Sequence, residues 1–205
     1  DRSIGAGILV AATGLLLWVA SSEAWRFLGW RTSAGVAGQQ MGLSMVWLIF
    51  GSTMLIMGLR PNGAALRWLG FAALGLTAGK VFVVDPNLTQ STYQLLANHH
   101  AFPLLVIVAM LYLASHWYRR NLEHVGEGEE MVAMTVPYLA SLLLWWVLTS
   151  EAWYFVDWGL GAGRDAQQYA LSAVWTGYGA VLITVGLMRR NAPLRWIAMG
   201  LLAVV

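Results

Sequence analysis

Apolar residues run in long blocks from one end of the chain to the other, with short polar breaks between them. Blocks at 4–21, 41–59, 66–84, 101–118, 132–149 and 170–187 are each long enough, as helices, to cross a bilayer core of roughly 30 Å. A seventh block begins at 194 and meets the end of the sequence at 205; at 1.5 Å per residue it reaches only about 18 Å, an incomplete span. The first residue is Asp1 and not Met, so the sequence reads as part of something longer.

The breaks carry ordinary stop signals. Arg60-Pro61-Asn62-Gly63 and Arg190-Asn191-Ala192-Pro193 predict tight turns. Asp85-Pro86-Asn87 ends the third block, because proline cannot continue a helix and restricts the residue before it. Glu127-Gly128-Glu129-Glu130 reads as a solvated linker. Residues 24–38 and 88–99 mix polar and aromatic side chains and predict interfacial helices. Gly75-Leu76-Thr77-Ala78-Gly79 has the small-xxx-small spacing of close helix packing in membranes.

Composition agrees with the blocks. The chain is 59% hydrophobic and 11% charged, with 12 Trp, one Lys and a mean hydropathy of +0.62, so its main solvent is lipid. With no cysteine, disulfides, thiolate metal sites and cysteine nucleophiles are excluded. A net charge of +2, spread over span ends, gives no nucleic-acid footprint. Arg2, Arg60, Arg67, Arg119, Arg120, Arg189, Arg190 and Arg195 fall on one side of the alternating spans; Arg26, Arg31, Lys80 and Arg164 fall on the other. That bias predicts a cytoplasmic N-terminus.

The stretch SEAWRFLGW at 22–30 returns as SEAWYFVDW at 150–158. Pairing residue n with n+128 from Leu15 to Trp68 needs no gap and gives 25 identities in 54 pairs. Polar members match in register, which shared hydrophobicity does not produce: Glu23/Glu151, Gln39-Gln40/Gln167-Gln168, Ser44/Ser172, Trp47/Trp175 and Arg67/Arg195. The chain therefore reads as a duplication. The predicted fold class is all-α, a polytopic transmembrane helical bundle of tandem parallel four-helix repeats. The first repeat covers 1–125 and the second, incomplete, 126–205; four spans per unit give both copies the same orientation. Lys80 and Asp85 would recur just past residue 205.

In the second block the positions kept in both copies are Gln40, Ser44, Trp47, Gly51 and Gly58, a single helical stripe. Met41, Met45, Leu48 and Ile56 drift between copies, as a lipid-facing surface is free to do. Lys80 and Asp85 close the third block on the same side as Glu23, and His99-His100 open the fourth. Ionisable side chains inside spans are costly and mark function or pairing. The candidate ligand-binding set is therefore Glu23, Gln40, Ser44, Trp47, Lys80, Asp85 and His100, with Glu151, Gln168, Ser172 and Trp175 in the second copy. Glu23–Lys80 is the expected ion pair, with an equivalent for Glu151.

Adjacent histidines on a helix point about 100° apart and do not readily share a metal. All four histidines lie on or beside the fourth block, so no haem, metal or other cofactor is expected. Capping or solvated histidines fit that helix start, with Pro103 in its first turn.

The segments LSMVW (43–47), LSAVW (171–175), GLRPNGAALRWLG (58–70), GLTAGKVFVVD (75–85) and YRR (118–120) together resemble the bacterial family catalogued as domain of unknown function 2339. The resemblance implies a bacterial inner-membrane protein with many helices and implies no activity. The leading functional reading is a transporter-like protein with an outward-facing polar pocket in each repeat. The alternatives are a non-catalytic scaffold or accessory subunit and a membrane-embedded enzyme acting on envelope glycans or lipids. The sequence supplies no nucleophile or oxyanion site for the last. Expected partners are the lipid bilayer, other membrane subunits or the remainder of the chain.

Overall fold

A computed structural model describes residues 2–31, 35–60, 63–83, 95–96, 98, 100–121 and 129–204. Among these the chain is helical: α1 (Arg2–Arg31), α2 (Gly35–Gly58), α3 (Ala64–Val83), α4 (Ala101–Arg120), α5 (Glu130–Tyr154), α6 (Arg164–Met188) and α7 (Ala192–Val204). A π-helical turn, Phe155–Gly159, continues α5. Helices are the expected solution, since an apolar medium leaves backbone polar groups only one another as partners. Five stretches are long and apolar enough to cross a membrane: Gly38–Gly58, Ala64–Val83, Ala101–Arg120, Glu130–Gly159 and Arg164–Met188. The first apolar block is helical throughout within α1 but is not among these five, so three of the four spans expected in residues 1–125 are. α7 has 13 residues and stays short of a full crossing.

The helices overrun the apolar blocks. Residues 24–31 continue α1 and residues 35–38 open α2, so the interfacial helix expected over 24–38 does not form there. A helix already paid for by its neighbours' hydrogen bonds extends at little further cost, whereas a new one must nucleate. Most of 88–99 lies outside the described residues.

The chain forms two compact units, one of residues 1–91 with 99–141 and one of residues 142–205 with 92–98. In the first, α2 packs on α1, α3 and α4. Its Ser44, Leu48, Gly51, Leu55 and Gly58 are buried, while Gln40 and Trp47 are half-buried, as are Met41 and Met45. The expected stripe is met at Ser44, Gly51 and Gly58 and departs from expectation at Leu48. That residue is only 3% exposed and was expected to face lipid. Its drift to Thr176, which is exposed, marks a position whose neighbours differ. Glycine lets α2 and α3 approach closely. A Cβ on Gly70 would stand 2.6 Å from the Leu55 amide nitrogen, and one on Gly51 3.1 Å from Leu74 and Ala73 side-chain atoms. Gly75 and Gly79 do not serve this purpose: both are exposed, and a Cβ there meets nothing within 4 Å. The buried face of α3 runs through Arg67, Gly70, Leu74, Thr77 and Val81, and the Gly75–Gly79 pair falls on the opposite side.

In the second unit, Tyr178, Leu182 and Ala198 form a core joined by Leu144, Trp145 and Leu148. Arg190 ends α6 in the left-handed region, at φ 51°. The Asn191 amide donates to the Gly186 carbonyl at 2.8 Å and the Arg190 amide to Leu187 at 3.1 Å, the Schellman arrangement that satisfies terminal carbonyls.

Two substitutions test the helix contact. Alanine gains up to about 1 kcal/mol of helix propensity over glycine, but at Gly70 it meets main chain that no rotamer change can move. Gly70→Ala is expected to destabilise by about 1–3 kcal/mol, and Gly75→Ala to be neutral or stabilising, by thermal unfolding in detergent. Equal effects would contradict the contact.

Candidate functional site

Lys80 sits in the last turn of α3 on that helix's buried face. Its Nζ donates to Ser44 Oγ at 2.8 Å and to the Gln40 carbonyl at 3.0 Å. Ser44, fully buried, also donates to the Gln40 carbonyl, at 3.2 Å. The ammonium is thus held by one turn of α2, a charge-assisted arrangement stronger than a neutral hydrogen bond. Gln40 takes part through its backbone; its side chain has no role in these bonds.

Glu23 lies elsewhere. Its side chain is 66% exposed and pairs with Arg26 one turn on in α1, at 3.6 Å, a contact of small energetic weight at a surface. Trp47 joins α2 to α1: its Nε1 donates to Ser21 Oγ at 2.9 Å, and Ser21 donates to the Leu17 carbonyl. His100 is the N-cap residue of α4, and its imidazole makes no capping bond to that helix. Pro103, in the first turn, is buried. Asp85 and His99 lie outside the described residues.

In the second unit the corresponding glutamate behaves differently. Glu151 is 3% exposed. Its Oε2 accepts from the Leu96 amide at 2.7 Å and its Oε1 from Asn98 Nδ2 at 2.6 Å. Leu96 has φ 60°, a left-handed conformation costly for a leucine, and its amide donates to this carboxylate. Trp175 Nε1 donates to Thr149 Oγ1 at 3.1 Å, and Thr149 donates to the Trp145 carbonyl. These are the positions of Trp47, Ser21 and Leu17 advanced by 128. Ser172 is half-buried, Gln168 is exposed, and Gln167 beside it is buried. The inward direction expected of Gln168 belongs to Gln167, one residue or about 100° earlier on α6.

A buried ion pair among the described residues involves a glutamate that reads in the sequence as part of a solvated linker. Arg67 and Glu129 have side chains only 4% and 5% exposed, with Nη2 and Oε2 2.6 Å apart. Nε donates to Oε1 at 3.3 Å and Nη1 to the Gly58 carbonyl at 2.7 Å. The guanidinium stacks over Trp117 at 4.8 Å and Tyr118 at 5.9 Å from the ring centroids. Two parallel bonds to a carboxylate, one to a helix-end carbonyl and an aromatic face use the geometry particular to arginine. Glu129 immediately precedes α5, and its carbonyl accepts from Ala133. The available signal was Arg67 itself, inside an apolar block and matched by Arg195.

Among the described residues no three His, Asp or Glu side chains converge as metal ligands. A pocket of about 200 Å³ opens along α5, lined by Trp146, Thr149, Ser150, Trp153, Tyr154 and Leu171. The chain matches no family model, no curated protein and no solved structure. Its five long apolar helices are compatible with an integral membrane protein.

Removing one partner of a buried pair leaves an uncompensated charge, at a cost of about 3–5 kcal/mol. Arg67→Met and Glu129→Leu are each expected to lower stability by that order. The double variant should recover most of the loss. Additive losses in a double-mutant cycle would show that the pair is uncoupled.

Proposed function

We propose that this chain is a multi-pass inner-membrane protein acting as a scaffold or accessory subunit, in which recurring polar side chains join helices to one another. The observation carrying this reading is Lys80, the one lysine of the sequence, which donates to Ser44 and the Gln40 carbonyl on the adjacent helix. The two indole–hydroxyl bonds, each between two helices, support it in the same way, and Glu151 ties α5 to the non-helical residues Leu96 and Asn98. Two tandem copies of one unit account for the two indole–hydroxyl bonds standing 128 residues apart at both ends. The basic-residue bias supports a cytoplasmic N-terminus, and the family resemblance supports a bacterial inner membrane.

A second reading, solute handling through a polar pocket, draws on the burial of Lys80 and Glu151, because ionisable groups within spans commonly line pathways. The two separate cleanly in a chain without native cysteine. In proteoliposomes, Ser44→Cys should resist a membrane-impermeant maleimide while Glu23→Cys, at an exposed position, reacts. Labelling of Ser44→Cys at a comparable rate would mean a hydrated path to Lys80 and would overturn the scaffold reading.

A further inference from the structure

We infer that the pocket on α5 is a specific site for one acyl chain of a bilayer phospholipid. Trp146, Thr149, Ser150 and Trp153 stand at intervals of three, one and three, on one face of α5, and Leu171 of α6 closes the far wall. Trp146 and Trp153 are 48% and 39% exposed, so the pocket opens on the flank that this candidate span offers to lipid. Leu139 and Leu142, also exposed, continue that apolar flank along the helix.

The chemistry of the lining selects the occupant. Among the described residues no charged side chain lines it. The Thr149 hydroxyl donates to the Trp145 carbonyl and accepts from Trp175; the Ser150 hydroxyl donates to the Val147 carbonyl. Both hydroxyl protons are therefore engaged within the protein, which disfavours a sugar or a phosphate. A volume of about 200 Å³ is below the roughly 300–1,000 Å³ of sites that enclose a whole small molecule. It suits a segment of a chain whose remainder stays in the bilayer.

The sequence adds an independent reason. A surface that merely meets lipid has only to be apolar, yet the lining recurs 128 residues earlier as Trp18, Ser21, Ser22, Trp25 and Leu43. Only Tyr154 has a chemically different counterpart, Arg26. Ser21 and Ser22 repeat the hydroxyl bonds, to the Leu17 and Val19 carbonyls. Two chain sites per molecule follow. That number rests on the duplication proposed above, whereas the site on α5 rests only on the membrane-spanning reading.

Native mass spectrometry of the whole chain, titrated with 1-palmitoyl-2-oleoyl-phosphatidylethanolamine, tests the inference. The intact protein should retain two lipids at saturation. Leu171→Trp and Leu43→Trp should each retain one, and the double variant none; Leu142→Trp, on the open flank, should retain two. Trp146→Ala, at a half-exposed position, should weaken the α5 site at least about fivefold and so guards against misfolding of the filled variants. Glycerophosphoethanolamine, the headgroup without chains, should not compete. Unchanged retention in Leu171→Trp and Trp146→Ala, or competition by the headgroup alone, would overturn the site. Failure of the cysteine-labelling test would leave these outcomes unaffected.

Discussion

A polar side chain buried among apolar helices has no bulk water to return to, and it must find its partner within the protein. Lys80 obeys this through Ser44 and the Gln40 carbonyl, and Arg67 through Glu129 and the Gly58 carbonyl. Ser44 and Gly58 lie 14 residues apart on α2, about 21 Å at helical rise. The α2–α3 pair is therefore fastened at both ends by a cation of α3 bonded to α2. Between the fastenings the contact is steric: Gly51 against Leu74, and Gly70 against the Leu55 backbone. Directional bonds at the ends fix the register that apolar packing alone leaves free to slide.

The second unit repeats parts of this plan with its own pairs. Gly179 meets Leu202 as Gly51 meets Leu74, and Gly186 meets Arg195 as Gly58 meets Arg67. Trp175 and Thr149 repeat the bond between Trp47 and Ser21. The glutamates diverge. Glu23 remains at the surface beside Arg26, whereas position 154, 128 residues on from Arg26, is a tyrosine. Glu151 instead holds the amides at 96 and 98.

Much of the architecture was legible because it follows from one-dimensional patterns. Apolar blocks mark the helices, the break predicted at 190–193 falls at the junction of α6 and α7, and positions matched at an offset of 128 mark the buried Ser44, Gly51 and Gly58. The misplacements have a common cause. Glu129 reads as part of a solvated linker and Arg67 only as one of the cations that set the charge bias, and nothing local reveals that they pair or that Trp117 and Tyr118 of α4 lie against the guanidinium. Gly75 and Gly79 carry the right spacing on the wrong face, and spacing alone does not say which face a partner occupies. Gln39-Gln40 and Gln167-Gln168 both match at an offset of 128, so the match does not choose between the two glutamines; only the rotation of α6 does.

The claim on which the account rests is that Lys80 and Ser44 are energetically joined across α2 and α3. The direct measurement is a double-mutant cycle of Lys80→Met and Ser44→Ala, read by unfolding of the purified chain. Interhelical polar bonds in membranes couple by about 0.6–1.7 kcal/mol, and a non-additivity on the order of 1 kcal/mol is the predicted result. Losses that add to within about 0.3–0.5 kcal/mol would mean the two side chains do not depend on one another, and would contradict the account.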